Sequence, residues 1–354
     1  MNSDETKLSR LQIGTTIDMV GPNDSITKGI LAEKLGFDML WFTDHLIDNG
    51  GIKVEPWTTM SAISAQTKII KMCTAVTDTQ RSHPTRTAHS VATLDEISNG
   101  RVSLGIGAGE AMNLLPFGLP FDKPLARAMR LAEAIQVIRL LWGSSRSRPV
   151  SFQGEYFSLD NAWLDLQIKG QPGIYVGALG GRHALEIAGK YGDGWISWIN
   201  TPDTFGQRLG IVKEAARNAG KEEKRIGAAA WIFTGIAQNE GDLRDALNYT
   251  KRSLLVEFHT LKLLGFEIPS ELETPYQSML VTDEGDRKLL DLQDSVPDEI
   301  AFECSAFGSP SEIIEKVKEF RAAGATHVIL EFVDPREERL REYSNKILPL
   351  LLEN

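Results

Sequence analysis

Four stretches of this sequence gather residue types that can move protons or hold an anion. Thr43-Asp44-His45 sets a carboxylate beside an imidazole. Ala75-Val76-Thr77-Asp78 ends a β-branched run on a hydroxyl and a carboxylate. Gly105-Ile106-Gly107-Ala108-Gly109-Glu110-Ala111-Met112-Asn113 brings a carboxylate and a carboxamide out of a glycine-rich turn. Leu179-Gly180-Gly181-Arg182 reads as the entry to a helix, where glycines that adopt dihedrals closed to other residues can turn their amides to one point. The dipole and unpaired first-turn amides of that helix favour a phosphate-like anion, and Arg182 adds a charge. Each stretch also has a plainer reading. Asp-His makes a hydrogen-bonded turn, a glycine-rich strand end makes a tight turn, and Glu110 alone faces water. His45 and Glu110 are the candidate acid and base.

These stretches acquire meaning from the elements that carry them. Short β-branched runs alternate with helix-period segments. The strands read as 11–17, 37–43, 69–76, 101–107, 173–179, 193–199, 225–237 and 327–333. The helices between them run through Glu33 and Lys34, then 56–66, 84–98, 124–142, 182–191 and 202–219, with a last one over 336–352. Strands alternating with helices pair in parallel through right-handed crossovers. Eight such units predict an α/β fold, a (β/α)8 TIM barrel, over residues 1–354 as a single domain. Its active site then lies where the strands end, where Asp18, Asp44, Asp78 and Glu110 make an acidic mouth with one electropositive corner at Gly180–Arg182. Three segments exceed the repeat: a loop at 46–55 after the second strand, a hairpin-like alternation at 150–170 after the fourth helix, and a helical insertion at about 240–303 after the seventh strand. Insertions of this size in a compact domain are usually lids or interfaces.

Composition narrows the function. The chain has 354 residues, 42% hydrophobic and 24% charged, with a net charge of −10. That balance argues against a nucleic-acid partner or an anionic membrane surface, and leaves a small-molecule substrate. No run of about 20 apolar residues would span a bilayer. The polar start MNSDETKLSR lacks the regions of a signal peptide, so a cytoplasmic enzyme is expected. Cys73 and Cys304 form no CxxC pair and read as buried thiols in a reducing compartment. Of the six histidines, His83 and His89 stand six apart and cannot share a helix face, and no metal site is expected. The GxGxG spacing of 105–109 is not the dinucleotide fingerprint GxGxxG, and no GxSxG elbow is present.

Taken whole, the sequence resembles the bacterial-luciferase-like superfamily, and within it the branch that uses the deazaflavin coenzyme F420. The matching stretches are WFTDH (41–45), EPW (55–57), AVTD (75–78), ATLDEISNGRVSLGIGAGEAMN (92–113), KPLAR (123–127) and GALGGRHALEIAGKYGDGW (177–195). The resemblance covers about 10–235, returns at FGSPSEIIEKV (307–317) and the eighth strand, and is thin over 240–303. Flavin monooxygenases of the superfamily share NGRVSLGIGAG but typically continue with tryptophan. Glu110 here favours F420, with an FMN-dependent monooxygenase as the alternative.

The resemblance implies hydride transfer between the deazaflavin and a small organic substrate, either a pterin methylene group or a carbonyl or alcohol. It implies Asp44 at the ring system, His45 at the reacting carbon, and Glu110 and Asn113 by the substrate side. It implies a cis Ala75–Val76 peptide in a bulge backing the ring, with Thr77, Gly107 and Gly109 also at the cofactor, and Gly180, Gly181 and Arg182 at its phosphate. It further implies a homodimer or higher homo-oligomer. The chain departs from the sugar-phosphate dehydrogenases of the branch. It carries Asn200-Thr201-Pro202-Asp203 where they place a lysine for the substrate phosphate, and Leu114 where some members continue with Glu.

Overall fold

The computed structural model describes residues 10–17, 21–48, 53–268 and 281–352. The first half alternates β1 (Gln12–Thr16), α1 (Pro22–Lys34), β2 (Met39–Phe42), α2 (Pro56–Ser64), β3 (Lys71–Thr74), the short β4 (Thr77–Asp78), α3 (Pro84–Ser98), β5 (Val102–Gly107) and α4 (Pro124–Trp142). A hairpin of β6 (Val150–Gln153) and β7 (Ser158–Ala162) follows. Then come β8 (Ile174–Gly177), α5 (Arg182–Tyr191), β9 (Gly194–Ile196), α6 (Pro202–Asn218) and β10 (Gly227–Ile236). Helices α7 (Glu240–Val256), α8 (Phe258–Leu263), α9 (Asp283–Leu292) and α10 (Asp298–Glu303) precede β11 (Ser305–Gly308), α11 (Pro310–Ala322) and β12 (His327–Phe332). The chain ends on α12 (Glu337–Lys346) and α13 (Leu348–Leu352). Helices α1 to α4, α6 and α11 all begin on a proline, whose fixed φ suits the first turn and whose missing N–H costs nothing there.

All strand pairs outside the hairpin are parallel, and they close: β12-β1-β2-β3-β5-β8-β9-β10 returns to β12. This is the expected (β/α)8 barrel. Along β10 and β12 the side chains alternate. Ala228, Ala230, Val328 and Leu330 pack outward under the helices, while Ala229, Trp231 and Ile329 fill the interior with Trp41 and Cys73. The insertion after β10 has its own apolar core of Leu247, Leu254, Leu289 and Cys304, joined to the barrel through Phe233 and Ile199.

Several expectations need adjustment. Strand β3 stops at Thr74 rather than at Val76, while the Ala75–Val76 peptide beyond it is cis, as the resemblance implies. Thr74 takes over the ladder to β5: its hydroxyl donates to Gly105 O at 2.7 Å and accepts from Gly105 N at 3.0 Å. A Cβ on Gly105 would stand 1.8 Å from Thr74 O, so only glycine fits. The last helix is not continuous: α12 ends before Ile347, because Pro349 cannot donate into the preceding turn. Strand β11 and helix α11 were not expected as elements. Ser309 and Glu312 form a capping box at the start of α11, a signal present in the sequence. Asp18 and residues 49–52 of the 46–55 loop lie outside the described residues, as do 269–280 of the insertion.

Candidate active site

A cavity of about 600 Å³ opens at the C-terminal ends of the barrel strands and runs under α7 and α9. At its centre stand His45 and Glu110. His45 Nδ1 lies 2.8 Å from Asp48 Oδ2, which fixes the ring, and Nε2 lies 3.3 Å from Glu110 Oε2. That contact falls outside hydrogen-bond geometry, so Glu110 Oε2 is buried with no hydrogen-bond partner among the described residues. Burial pushes the Glu110 carboxyl up, against the lowering pull of His45. Burial pushes His45 down, but Glu110 and Asp48 outweigh it and its pKa is raised. Both groups therefore hold protons to higher pH than usual. Gly109, at φ +85°, makes the left-handed turn that brings Glu110 back over the strand ends.

Around this pair each position has a support. Arg81 ion-pairs with Asp44 at 3.2 Å and with Asp78, and also donates to the Asp44 carbonyl. Burial nonetheless raises the Asp44 pKa, with Arg81 opposing. Asn113 Oδ1 accepts from Leu46 N at 2.6 Å and Ile47 N at 3.3 Å, tying the loop after β2 to the turn after β5. Its Nδ2 is buried without a partner among the described residues. Val76 packs against two glycines: a Cβ at Gly107 or Gly177 would lie 2.7 or 2.9 Å from Val76 Cγ2. On the far wall Glu331 accepts from Trp231 Nε1 at 2.6 Å and from Tyr249 Oη at 3.3 Å.

Residues 24–327 match the family model described as luciferase-like monooxygenase. The chain belongs to that family. An F420-dependent glucose-6-phosphate dehydrogenase of Beutenbergia cavernae is 29% identical, with 97% of each chain covered. A phthiodiolone/phenolphthiodiolone dimycocerosates ketoreductase of Mycobacterium tuberculosis is 30% identical over 90% of each. Among solved structures, an F420-dependent secondary alcohol dehydrogenase in complex with an F420-acetone adduct superposes with a TM-score of 0.79. It is 26% identical and covers 97% of this chain and 99% of its own.

Within this luciferase-like barrel, Asp44, His45, Ala75, Val76, Gly107, Gly109, Glu110, Asn113, Gly181 and Arg182 all line the cavity. Thr77 and Gly180 do not. Thr77 stands behind Asp44 and hydrogen-bonds it, and Gly180 is backed by Arg208 and His259. The dihedral argument for the two glycines is corrected: neither has positive φ, and Gly181 at φ −65° and ψ 125° is open to any residue. The Arg182 side chain is 70% exposed and pairs with Glu186 at 2.8 Å along the helix. Nor is the mouth uniformly acidic, since Lys53, Arg81, Arg127 and Arg252 also line it. Sequence reasoning missed Asp48, Arg81, Arg208, Tyr249 and Glu331. Among the described residues no group of three or more His, Cys, Asp or Glu could hold a metal ion, and no helix is long and apolar enough to cross a membrane.

Proposed function

We propose that the protein is a coenzyme F420-dependent oxidoreductase that moves a hydride between the deazaflavin and a small organic substrate bearing an alcohol, carbonyl or pterin methylene group. The observation that carries this reading is the His45–Glu110 contact at 3.3 Å in the lining of the cavity. The residues present fit a flat cofactor: Val76 against Gly107 and Gly177 makes a wall without protruding side chains, and the buried Asn113 Nδ2 behind the lining has no partner among the described residues. A deazaflavin, when bound there, supplies or accepts the hydride at a ring carbon. Asp48 orients His45 so that Nε2 faces the reaction, and His45 with Glu110 holds or takes the proton that accompanies the hydride. Asp44, held by Arg81 and Thr77, contacts the ring, and Gly181 with the first turn of α5 receives the phosphate.

Glucose 6-phosphate is disfavoured as substrate. Asn200 is buried, and its carboxamide is committed to Arg208 and Thr204, so it brings no cation to the mouth. The reading includes a cytoplasmic setting and a homo-oligomer, the latter checked by light scattering. Its central test is binding and turnover without oxygen. The purified protein should quench F420 fluorescence on binding and oxidise reduced F420 anaerobically with a carbonyl acceptor. Tight binding of FMN with none of F420 would overturn the reading in favour of an FMN-dependent monooxygenase.

A further inference from the structure

Arg208, on α6, is 3% exposed. Its Nη1 donates to Thr260 Oγ1 at 2.9 Å and to the Asn200 carboxamide oxygen, both neutral acceptors. Among the described residues it makes no ion pair, and Nη2 donates to nothing. Nη2 instead points at Gly180, where a Cβ would stand 2.7 Å from it. The acid that acts on it is Glu257, fully buried: Thr260 Oγ1 accepts from Arg208 and donates its one proton to Ile199 O at 2.7 Å, and it lies 3.2 Å from Glu257 Oε2, which accepts from Thr260 N at 3.3 Å. The other Glu257 oxygen lies 2.9 Å from His259 Nδ1, and His259, which lines the cavity, backs Gly180.

A buried guanidinium without a direct counter-charge is costly unless an anion completes it. Gly180, which its Nη2 faces, leads directly into Gly181, the N-cap of α5 that no side chain caps. We infer that Arg208 supplies the positive charge behind the Gly180–Gly181 turn that binds the cofactor's phosphate, with Thr260 and Glu257 positioning it. The inference rests on the cofactor reading above. It explains why position 180 is glycine: any side chain would separate the guanidinium from the anion. It also replaces the exposed Arg182 as the source of charge.

The test compares two ligands, F420 and the same deazaflavin chromophore ending at its ribityl alcohol without the phosphate. Arg208→Gln should weaken F420 binding by about 10- to 100-fold, the range for a lost charge-assisted contact, and leave the phosphate-free ligand unaffected. Equal losses for both ligands, or no loss, overturn the inference. Because Arg208→Gln can unfold a buried site, Glu257→Gln is the second variant. It keeps the hydrogen bonds and removes the opposing charge, so F420 should bind roughly 3-fold tighter or more while the phosphate-free ligand is unchanged. Weaker or unaltered F420 binding in that variant overturns the inference. Wild-type protein that binds neither ligand overturns the cofactor reading, and this inference with it.

Discussion

Two pressures oppose each other at Glu110: burial favours its neutral form, and the neighbouring imidazole favours its charged form. Burial is the larger, so the carboxyl keeps a proton above its ordinary range, while Glu110 and Asp48 keep His45 protonated above its own. The pair titrates as a unit, and a rate profile should rise through one limb and fall through another, both displaced to higher pH than free Glu and His. Glu110→Gln should cut turnover by about 100-fold or more and leave F420 affinity nearly intact. It should also move the alkaline limb downward, since His45 loses its anion. Collapsed affinity with normal turnover at saturation would make Glu110 a binding residue. The same shifts act on stability. Folding favours the protonated forms, so their contribution is complete below about 4.5 for Glu110 and 6.5 for His45, and is lost as pH rises through the raised folded values. Asn113 separates two roles. Asn113→Ala leaves the Leu46 and Ile47 amides unpaired and should cost about 1–3 kcal/mol in urea denaturation. Asn113→Asp keeps the acceptor but removes the Nδ2 donor, so it should weaken cofactor binding with a smaller loss of stability.

Helix α5 is where an element's end, rather than a side chain, carries the proposed chemistry. Gly181 is its N-cap, no side chain caps it, and a Cβ there meets nothing within 4 Å. Gly181→Val should therefore leave the melting temperature unchanged while lowering F420 affinity about ten-fold or more, by filling the space the phosphate needs. Unchanged affinity would remove the phosphate from this helix. This element was legible in the sequence because the strand, the glycines and the helix are contiguous. Asp44, His45 and Glu110 were legible for the same reason, each sitting two or three residues beyond a strand. Asp48 and Arg81 follow His45 and Asp78 by three residues, a spacing that marks a loop turning back on itself. Glu331 had a signal too, an acid on the inward parity of an apolar strand beside Ile329. Arg208 had none: it lies mid-helix, and only the closing of the barrel brings it under Gly180. The break at the end of β3 could be read only from the family resemblance and not from the β-branched run itself, since Gly105 and Thr74, whose bonds replace the ladder there, are 31 residues apart.

At the scale of the whole molecule, the barrel interior and the core of the helical insertion meet along β10. One fills the closed barrel, where every strand is paired on both sides. The other lies under α7, α9 and α10, with Phe233 and Phe307 of the paired strands β10 and β11 as its floor. Each holds one cysteine, Cys73 in the barrel and Cys304 in the helical insertion, and both are fully buried. Burial pushes both thiols up, so neither is a reactive thiolate in the folded protein. Their labelling thus reports opening of the surrounding core rather than intrinsic reactivity. Opening the barrel interior requires breaking the β2–β3 and β3–β5 ladders that flank Cys73. Opening the insertion requires only that its helices part from Phe233 and Phe307, and the Tyr249–Glu331 bond is one polar tie that would go with them. Units held by fewer paired strands open at lower free energy. In urea below the main transition, Cys304 should accept a maleimide roughly ten-fold faster than Cys73 or more, giving a singly labelled species by mass spectrometry. Equal rates would mean that insertion and barrel unfold as one unit, and that the roof over the cavity does not open alone. F420 should slow labelling at Cys304 more than at Cys73, because the cavity it fills is roofed by Tyr249, Val256 and Leu289 of those same helices.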